Sequence, residues 1–467
     1  MKKFSFTIVF VFVVLFSNAQ NGLFGYWIDT VSFGPISMRL VLHFYEKDTV
    51  VALDLYSIDQ TKQAIPLKGW VRNGDSIFAK EKRLVMDLSL QYDSLKQRIS
   101  GVLEQRGTKF PVIFKPISAL PVILRPQTPK APFPYKIEEV SFQNKKAKIA
   151  LSGTLTLPEK GENLKAIVLL PGSGPNDRDE TIFEHKLLWI LADSLTKQGY
   201  AVLRYDKRGI KKSEGEHAKA TIDDFCDDAH AAIAFLRKDK RIDKNNIGII
   251  GHSEGGIIAP MVAAKDKKIA FIVSLAGSVQ SGRELLLTQC KLLYQSEGVS
   301  EDTIVADSQL RTFVYDEIIK HGNKKEFANI LSKALDNYVF NLSEQEKERL
   351  SWNSITKANF VIAHTLPYMK HFIALQPETY INNVKCPVLA VFGEKDIQVS
   401  AMENADLMRK CLQKAHNEPH SKVVIIEGAN HLLQKCNQCK ISEYGHIEET
   451  IAPEVLELLF SWLKMSF

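Results

Sequence analysis

From about residue 21 to residue 120, apolar and polar positions alternate with a period of two, as in Met38, Leu40, Leu42 and Phe44, and again in Phe110, Val112 and Phe114. Successive side chains on a strand point to opposite faces, so this period predicts strands with one face buried. Asn73-Gly74-Asp75, between Trp70-Val71-Arg72 and Ser76-Ile77-Phe78, has the spacing of a hairpin, and Asp93-Ser94 marks a second turn. The expectation is a small all-β domain over 20–120 in which lone polar residues such as His43 are ordinary strand positions. Packing, substrate gating and attachment are all compatible with it. Pro116, Pro121, Pro126, Pro129, Pro132 and Pro134 then crowd one stretch, which disfavours helix and central strand and predicts a stiff extended linker over 121–134.

Beyond Tyr135 the pattern changes. After an opening hairpin, Ile137 to Phe142 with Ile149 to Leu157, short continuous apolar runs follow at Ala166–Leu170, Ala201–Tyr205, Ile247–Gly251, Phe271–Leu275, Val388–Phe392 and Val423–Ile426. Such runs read as strands buried on both faces. Between them, apolar residues recur at helical spacing over His185–Gln198, Phe225–Lys238, Gly255–Ala264, Ala401–Ala415 and Pro453–Met465. Alternation of this kind predicts an α/β fold with a doubly wound, mostly parallel sheet. It breaks once, between Leu275 and Val388, where helical stretches occur at Arg283–Ser296, Asp302–His321, Lys325–Tyr338 and Glu344–Leu350. A structureless loop of that length is improbable, so a helical cap is expected over 282–382. A bundle remote from any site is the alternative.

At 467 residues the chain exceeds one ordinary core, which agrees with two domains. Its ends differ in kind. Lys2 and Lys3, an apolar run from Phe4 to Phe16, and Ser17-Asn18-Ala19 have the layout of a signal peptide over 1–19, cleaved after Ala19. The expected product is secreted or periplasmic. The run is shorter than the roughly 20 residues a spanning helix needs, so no stable membrane insertion is expected. Formal net charge is +6, with basic and acidic residues interspersed, so no nucleic-acid footprint is present. Six cysteines in a chain of this size are not a disulfide framework. The pair Cys436-Asn437-Gln438-Cys439 lacks the second ligand pair of a structural zinc site, which leaves a local disulfide and two unpaired thiols as the main readings.

Chemistry gathers around Ile247 to Pro260. An isoleucine-rich strand runs into Gly251-His252-Ser253-Glu254-Gly255-Gly256 and a helix-compatible stretch, which predicts a nucleophile elbow with Ser253 at its tip. A serine hydroxyl needs a base, and the base needs a carboxylate that fixes its tautomer. In open α/β sheets both should stand at the carboxyl ends of strands. Past Val388–Phe392 comes Gly393-Glu394-Lys395-Asp396, and past Val423–Ile426 comes Gly428-Ala429-Asn430-His431. Asp396 is therefore the expected orienting acid, with Glu394 its competitor on the same loop, and His431 is the expected base. His252 neighbours the nucleophile but should point away from it; His185, His217 and His230 read as surface or satisfied core positions, and His416 and His420 as a helix end and loop. The oxyanion needs two backbone donors. Glu254 N–H, directly after the serine, is one; Ser173 N–H in the loop Pro171-Gly172-Ser173-Gly174 is the other, with Gly174 the fallback.

The segments LLPGSGPNDRD, LRYDKRGIKKSEG, GHSEGG, FGEKDIQV and GANHLLQ, in this order, resemble the secreted esterase and serine-aminopeptidase-like branch of the α/β-hydrolase superfamily, over Tyr135 to the C-terminus. The resemblance implies a catalytic domain over 135–467 that hydrolyses carboxylic esters, with Ser253, Asp396 and His431 as triad and the loop at Gly172-Ser173 in the oxyanion hole. It also implies that Asp206, in the loop after the fourth strand, frames the site without doing chemistry. Pro171 departs from the pattern, since many relatives have histidine there. No metal or organic cofactor is required.

A short-chain acyl ester is the leading substrate, because a cap over a serine site makes a confined apolar pocket. A serine peptidase or aminopeptidase is the alternative, and it would need an acidic clamp for a free amine, for which Glu284, Glu297, Asp302 and Asp316 are the cap candidates. A secreted binding protein without turnover is a third reading, against which the complete set Ser253, Asp396 and His431 stands. The chain carries no signal of oligomeric state.

Overall fold

The computed structural model describes residues 22–33, 36–59, 63–121, 124–417 and 421–466, so the expected signal peptide over 1–19 and His420 lie outside the described residues. Two compact units result, one up to Val122 and one from Ile123.

The first unit is a nine-stranded antiparallel sheet in which the first strand, Gly25–Phe33, pairs with both Ile36–Lys47 and the last strand, Thr108–Ile117. The period-two pattern has its physical outcome here. Leu40, Leu42 and Phe44 from one half of the sheet share a core with Ile99, Leu103, Val112 and Phe114 from the other, so the sheet curls around its own apolar face. Asn73 pairs with Ser76 across a two-residue loop in which Gly74 takes a φ of 60°, as a tight hairpin requires. Pro116 lies within the last strand, opposite Trp27, rather than in an extended connection.

In the second unit eight strands form one sheet: β1 (Tyr135–Asn144), β2 (Ile149–Pro158), β3 (Leu164–Leu170), β4 (Ala201–Tyr205), β5 (Ile242–His252), β6 (Ile272–Leu275), β7 (Val388–Gly393) and β8 (Lys422–Ile426). Their spatial order is β1-β2-β4-β3-β5-β6-β7-β8, and all pairs from β4 onward are parallel. This is the α/β-hydrolase architecture. Its apolar runs are continuous because both faces are covered. Along β3, Ala166, Val168 and Leu170 enter the core under α2 (Ile222–Leu236) and α3 (Glu254–Lys265), whereas Ile167 and Leu169 enter the core under α1 (Leu187–Lys197) and α13 (Pro453–Ser466). The segment from residue 124 is tied to this unit. The Arg125 guanidinium donates to the carbonyls of Phe183, Gly445 and Ile447, and Gln127 accepts from the N–H groups of Thr450 and Ile451.

Helix α1 starts later than its apolar spacing predicts. His185–Lys186 instead pairs with Thr181–Ile182 in a small hairpin, because the ring of His185 is used in the core, bonded to the hydroxyl of Thr450 and the carbonyl of Tyr444. Between β6 and β7 stand seven helices: α4 (Gly282–Ser296), α5 (Glu301–His321), α6 (Phe327–Phe340), α7 (Glu344–Arg349), α8 (Ser354–Thr365), α9 (Pro367–Ala374) and α10 (Pro377–Ile381). The last three escaped the sequence pattern, α9 and α10 because they are short and begin at proline, which fits the first turn of a helix but reads as a break. Leu310, Val314, Leu331, Leu335 and Ile373 give this insertion a core of its own. Helix α11 (Ala401–Lys414) follows β7, and α12 (Ile441–Tyr444) follows the loop after β8.

Candidate active site

Ser253 sits where β5 turns into α3, with φ 52° and ψ −113°, a conformation that costs a non-glycine residue energy and persists only when its surroundings impose it. The imposition is visible. Its N–H donates to Leu275 O at 2.8 Å, and strand and helix pass so closely that a Cβ on Gly251 would lie 2.0 Å from Gly255 O and one on Gly255 2.2 Å from Leu170 O. Only glycine fits at those two positions.

His431, in the loop after β8, places Nε2 3.0 Å from Ser253 Oγ. Its Nδ1 lies 2.7 Å from Asp396 Oδ2, while Asp396 Oδ1 accepts the N–H groups of Gln398 and Val399 at 2.7 and 2.8 Å. With Asp396 an acceptor, Nδ1 carries the proton and Nε2 offers a lone pair to the serine hydroxyl. The structure thus brings together Ser253, Asp396 and His431. It leaves Glu394 aside, exposed and accepting the N–H of Gly428 at 2.9 Å. As the first residue of α3, Glu254 has no intrahelical acceptor for its N–H, and among the described residues Ser173 N–H also bonds to no protein acceptor. Both residues line the cavity at Ser253. A hydroxyl, a base with a fixed tautomer and two free backbone donors form the equipment of acyl transfer.

The model of one protein family, described as X-Pro dipeptidyl-peptidase (S15 family), matches residues 120–432, two thirds of the chain. The chain belongs to this S15 family. Among relatives, esterase EstD of Thermotoga maritima is 25% identical over 327 residues, which cover 69% of this chain and 68% of that protein. The quorum-quenching protein AidA of Acinetobacter baumannii is 35% identical over 88 residues, 19% of this chain and 29% of its own. Among solved structures, the Pyrococcus furiosus esterase Pf2001 superposes with a TM-score of 0.44 at 16% identity, covering 74% of this chain and 98% of that one.

Among the described residues of this S15-family serine hydrolase, two cavities open at Ser253. One, of about 200 Å³, lies beneath the insertion and is lined by Ile257, Leu285, Leu286, Met369, Phe372 and Val399, with Tyr368 and Ser278 among its polar groups. The other, of about 230 Å³, is bounded by Ile182, Phe183, Leu432, Ile441 and Tyr444. The insertion is therefore a cap over the serine. None of the four acids expected as an amine clamp lines either cavity: Glu284 accepts from Ser281, Glu297 pairs with Lys440, Asp302 with Arg349 and Asp316 with Arg283.

Three buried acids around the site have partners, Glu180 through Oε1 alone among the described residues. Asp206 takes a two-pronged bond from Arg178, at 3.1 and 2.7 Å, and has no contact with the serine. Glu254 Oε1 receives the Lys207 ammonium at 2.8 Å and its Oε2 the Tyr368 hydroxyl at 2.6 Å. Glu180 Oε1 lies 2.8 Å from His252 Nδ1 and accepts Gly172 N–H at 2.6 Å, while His252 Nε2 donates to the His431 carbonyl at 3.0 Å. Burial pulls the His252 pKa down, but Glu180 and the His431 carbonyl outweigh it and leave it raised. His252 points away from Ser253, as its position predicts, yet braces the loop of His431. Lys207, Glu180 and Tyr368 escaped the sequence reading. For Lys207 and Glu180 the signal, charged residues inside LRYDKRG and PNDRDE, was present but has no partner until the chain folds, and Tyr368 carried none.

Cys436 and Cys439 form a disulfide just after the His431 loop, and Cys226, Cys290, Cys386 and Cys411 are free. Among the described residues no helix is long and apolar enough to cross a membrane.

Proposed function

We propose that this protein hydrolyses carboxylic esters with a short acyl chain through an acyl-Ser253 intermediate, after export from the cytoplasm. Ser253 Oγ attacks the ester carbonyl as His431 Nε2 takes its proton, and the carbonyl oxygen, now an anion, is held by the N–H groups of Ser173 and Glu254. His431 returns the proton to the departing alkoxide, which leaves as the alcohol. Water then repeats the attack on the acyl-serine with the same base, releasing the acid and restoring Ser253.

The observation that carries the ester reading is the lining of the cap cavity. Its one carboxylate, Glu254, is already bonded to Lys207 and Tyr368, so the cavity offers an apolar wall for an acyl chain and no vacant anion for a substrate ammonium. At about 200 Å³ it is smaller than the roughly 300–1,000 Å³ of sites for drug-sized ligands, which favours a short chain. The name of EstD agrees with an ester. The family description favours the second reading, a peptidase that removes dipeptides ending in proline. Export is supported by the pattern of residues 1–19 and agrees with a disulfide at Cys436–Cys439, a bond that persists in oxidising compartments.

The test is hydrolysis of p-nitrophenyl acetate, butyrate and octanoate beside Ala-Pro-p-nitroanilide, by residues 20–467 and by Ser253→Ala. Cleavage of the short esters that vanishes in the variant is the expected result. Preference for the anilide would sink the ester reading, and turnover that survives in Ser253→Ala would sink the acyl-serine.

A further inference from the structure

Two N–H groups must converge on one oxyanion, yet they come from separate loops, and something has to aim them. Ser173 N–H and Gly172 C=O belong to one peptide unit, and in a planar trans amide they point in opposite directions. Whatever holds the carbonyl therefore aims the N–H. Lys207 Nζ lies 2.6 Å from Gly172 O, and the same ammonium lies 2.8 Å from the carboxylate of Glu254, whose own N–H is the second donor. Its third direction is taken by the Phe225 ring, 4.5 Å to the centroid, and the side chain is only 4% exposed.

We propose that Lys207 is a positioning residue for the oxyanion hole: its buried ammonium holds the Gly172–Ser173 peptide by its carbonyl and anchors it to the Glu254 side chain at the start of α3, and so fixes the Ser173 N–H relative to the Glu254 N–H and Ser253. The proposal rests on the acyl-serine reading above. An ammonium is costly to bury, and a pair of apolar side chains of similar volume would often hold a loop as firmly. A cation bonded to the carbonyl of one donor peptide and to the side chain of the residue that supplies the other donor does something an apolar pair cannot. It fixes the peptide's rotation by a directed bond, and by polarising the amide it strengthens the N–H at the other end. Asn176 adds a second donor to the same carbonyl at 2.9 Å. Glu180, held by His252, takes the Gly172 N–H, so both polar groups of Gly172 are held through partners of the two residues that flank Ser253.

The experiment compares wild type, Lys207→Met and the double variant Lys207→Met/Glu254→Gln, in which no buried charge is left unpaired. For each, kcat and KM on p-nitrophenyl butyrate are measured with thermal stability. Inhibition is measured for an alkyl trifluoromethyl ketone, which adds Ser253 Oγ to become an oxyanion, and for the matching carbinol, which cannot. The expected result is a fall in kcat on the order of 10²–10³ with KM little changed. Ketone affinity should fall in step with kcat/KM while carbinol affinity holds, and the double variant should regain stability without regaining kcat. If Lys207→Met does not fold, the double variant carries the same comparison. Recovery of kcat in the double variant, or parallel loss of ketone and carbinol affinity, would show a merely structural lysine. Wild type that neither binds the ketone nor reacts with a fluorophosphonate would overturn the acyl-serine reading and this proposal together; a reactive wild type with unaffected variants would overturn only the role of Lys207.

Discussion

Asp396 Oδ2 and His431 Nδ1 lie 2.7 Å apart at the ends of adjacent parallel strands, and the other oxygen of Asp396 is held by two backbone N–H groups. The carboxylate can therefore neither rotate away nor change partner without losing two bonds. Asp396→Asn should lower kcat by about 10⁴, since the amide no longer fixes the imidazole tautomer. Glu394→Gln, on the same loop but bonded to Gly428, should leave kcat near wild type. Kinetics of the two variants on one p-nitrophenyl ester decide the assignment, and equal losses would contradict it.

Leu286 of α4 reaches the cap cavity from above. Leu286→Trp should move the preferred acyl chain toward acetate and Leu286→Ala toward longer chains, by about 1–3 kcal/mol per methylene gained or lost. The check is the profile of kcat/KM across acetate to octanoate esters. A profile that keeps its shape in both variants would mean that the acyl chain does not lie beneath the cap.

The hydroxyl of Tyr368 ties cap helix α9 to Glu254 at 2.6 Å, and burial followed by the nearby carboxylate pushes its pKa well above the usual tyrosine value. It stays a donor through the alkaline range. Tyr368→Phe should cost about 1–3 kcal/mol by stranding a buried carboxylate oxygen. Thermal unfolding reads this directly, and an unchanged midpoint would mean that water or Lys207 replaces the bond.

Two buried histidines should give stability opposite pH slopes. Burial and the Arg125 charge lower the His185 pKa from 6.5 to about 4, so the unfolded chain takes this proton first and stability is lost as pH falls from about 6.5 toward 4. The loss is on the order of 3 kcal/mol. His252 is raised instead, so its contribution is fully present below pH 6.5 and is lost as pH rises through its folded value. In thermal melts across pH 4–9, His185→Gln should flatten the acid limb and His252→Gln the alkaline one. Compared as slopes, the result is independent of the bonds each substitution breaks; unchanged slopes would contradict the assigned shifts.

What was legible in the sequence was whatever depends on neighbours along the chain. The period-two stretch before residue 120 could only bury one face, so it made a curled antiparallel sheet. The unbroken runs at Ala166–Leu170 and Ile247–Gly251 could only lie between two helical layers, and Gly251 and Gly255 allowed the turn that exposes Ser253. Chain order and strand ends were enough to nominate Asp396 and His431. Asp396 was already preferred there to Glu394 on the same loop, and the loop's path turns Asp396 to the imidazole and Glu394 to the Gly428 N–H. Helices α9 and α10 were hidden for a different reason: short segments opened by proline carry little periodic signal, and α9 is buried by docking onto α4 and α5, α10 by docking onto α3 and α11.

The sequence by itself determined the fold class and the elbow and nominated the serine, the acid and the histidine, since local spacing and strand periodicity set these. Only the tertiary structure decided which charges meet: Glu180 with His252, Lys207 with both Glu254 and Gly172, Tyr368 with Glu254. These partners are separated by tens to more than a hundred residues. Strand order β2-β4-β3-β5 and the docking of the cap bring them together, and no hydropathy pattern records a contact between segments that meet only after the sheet has closed.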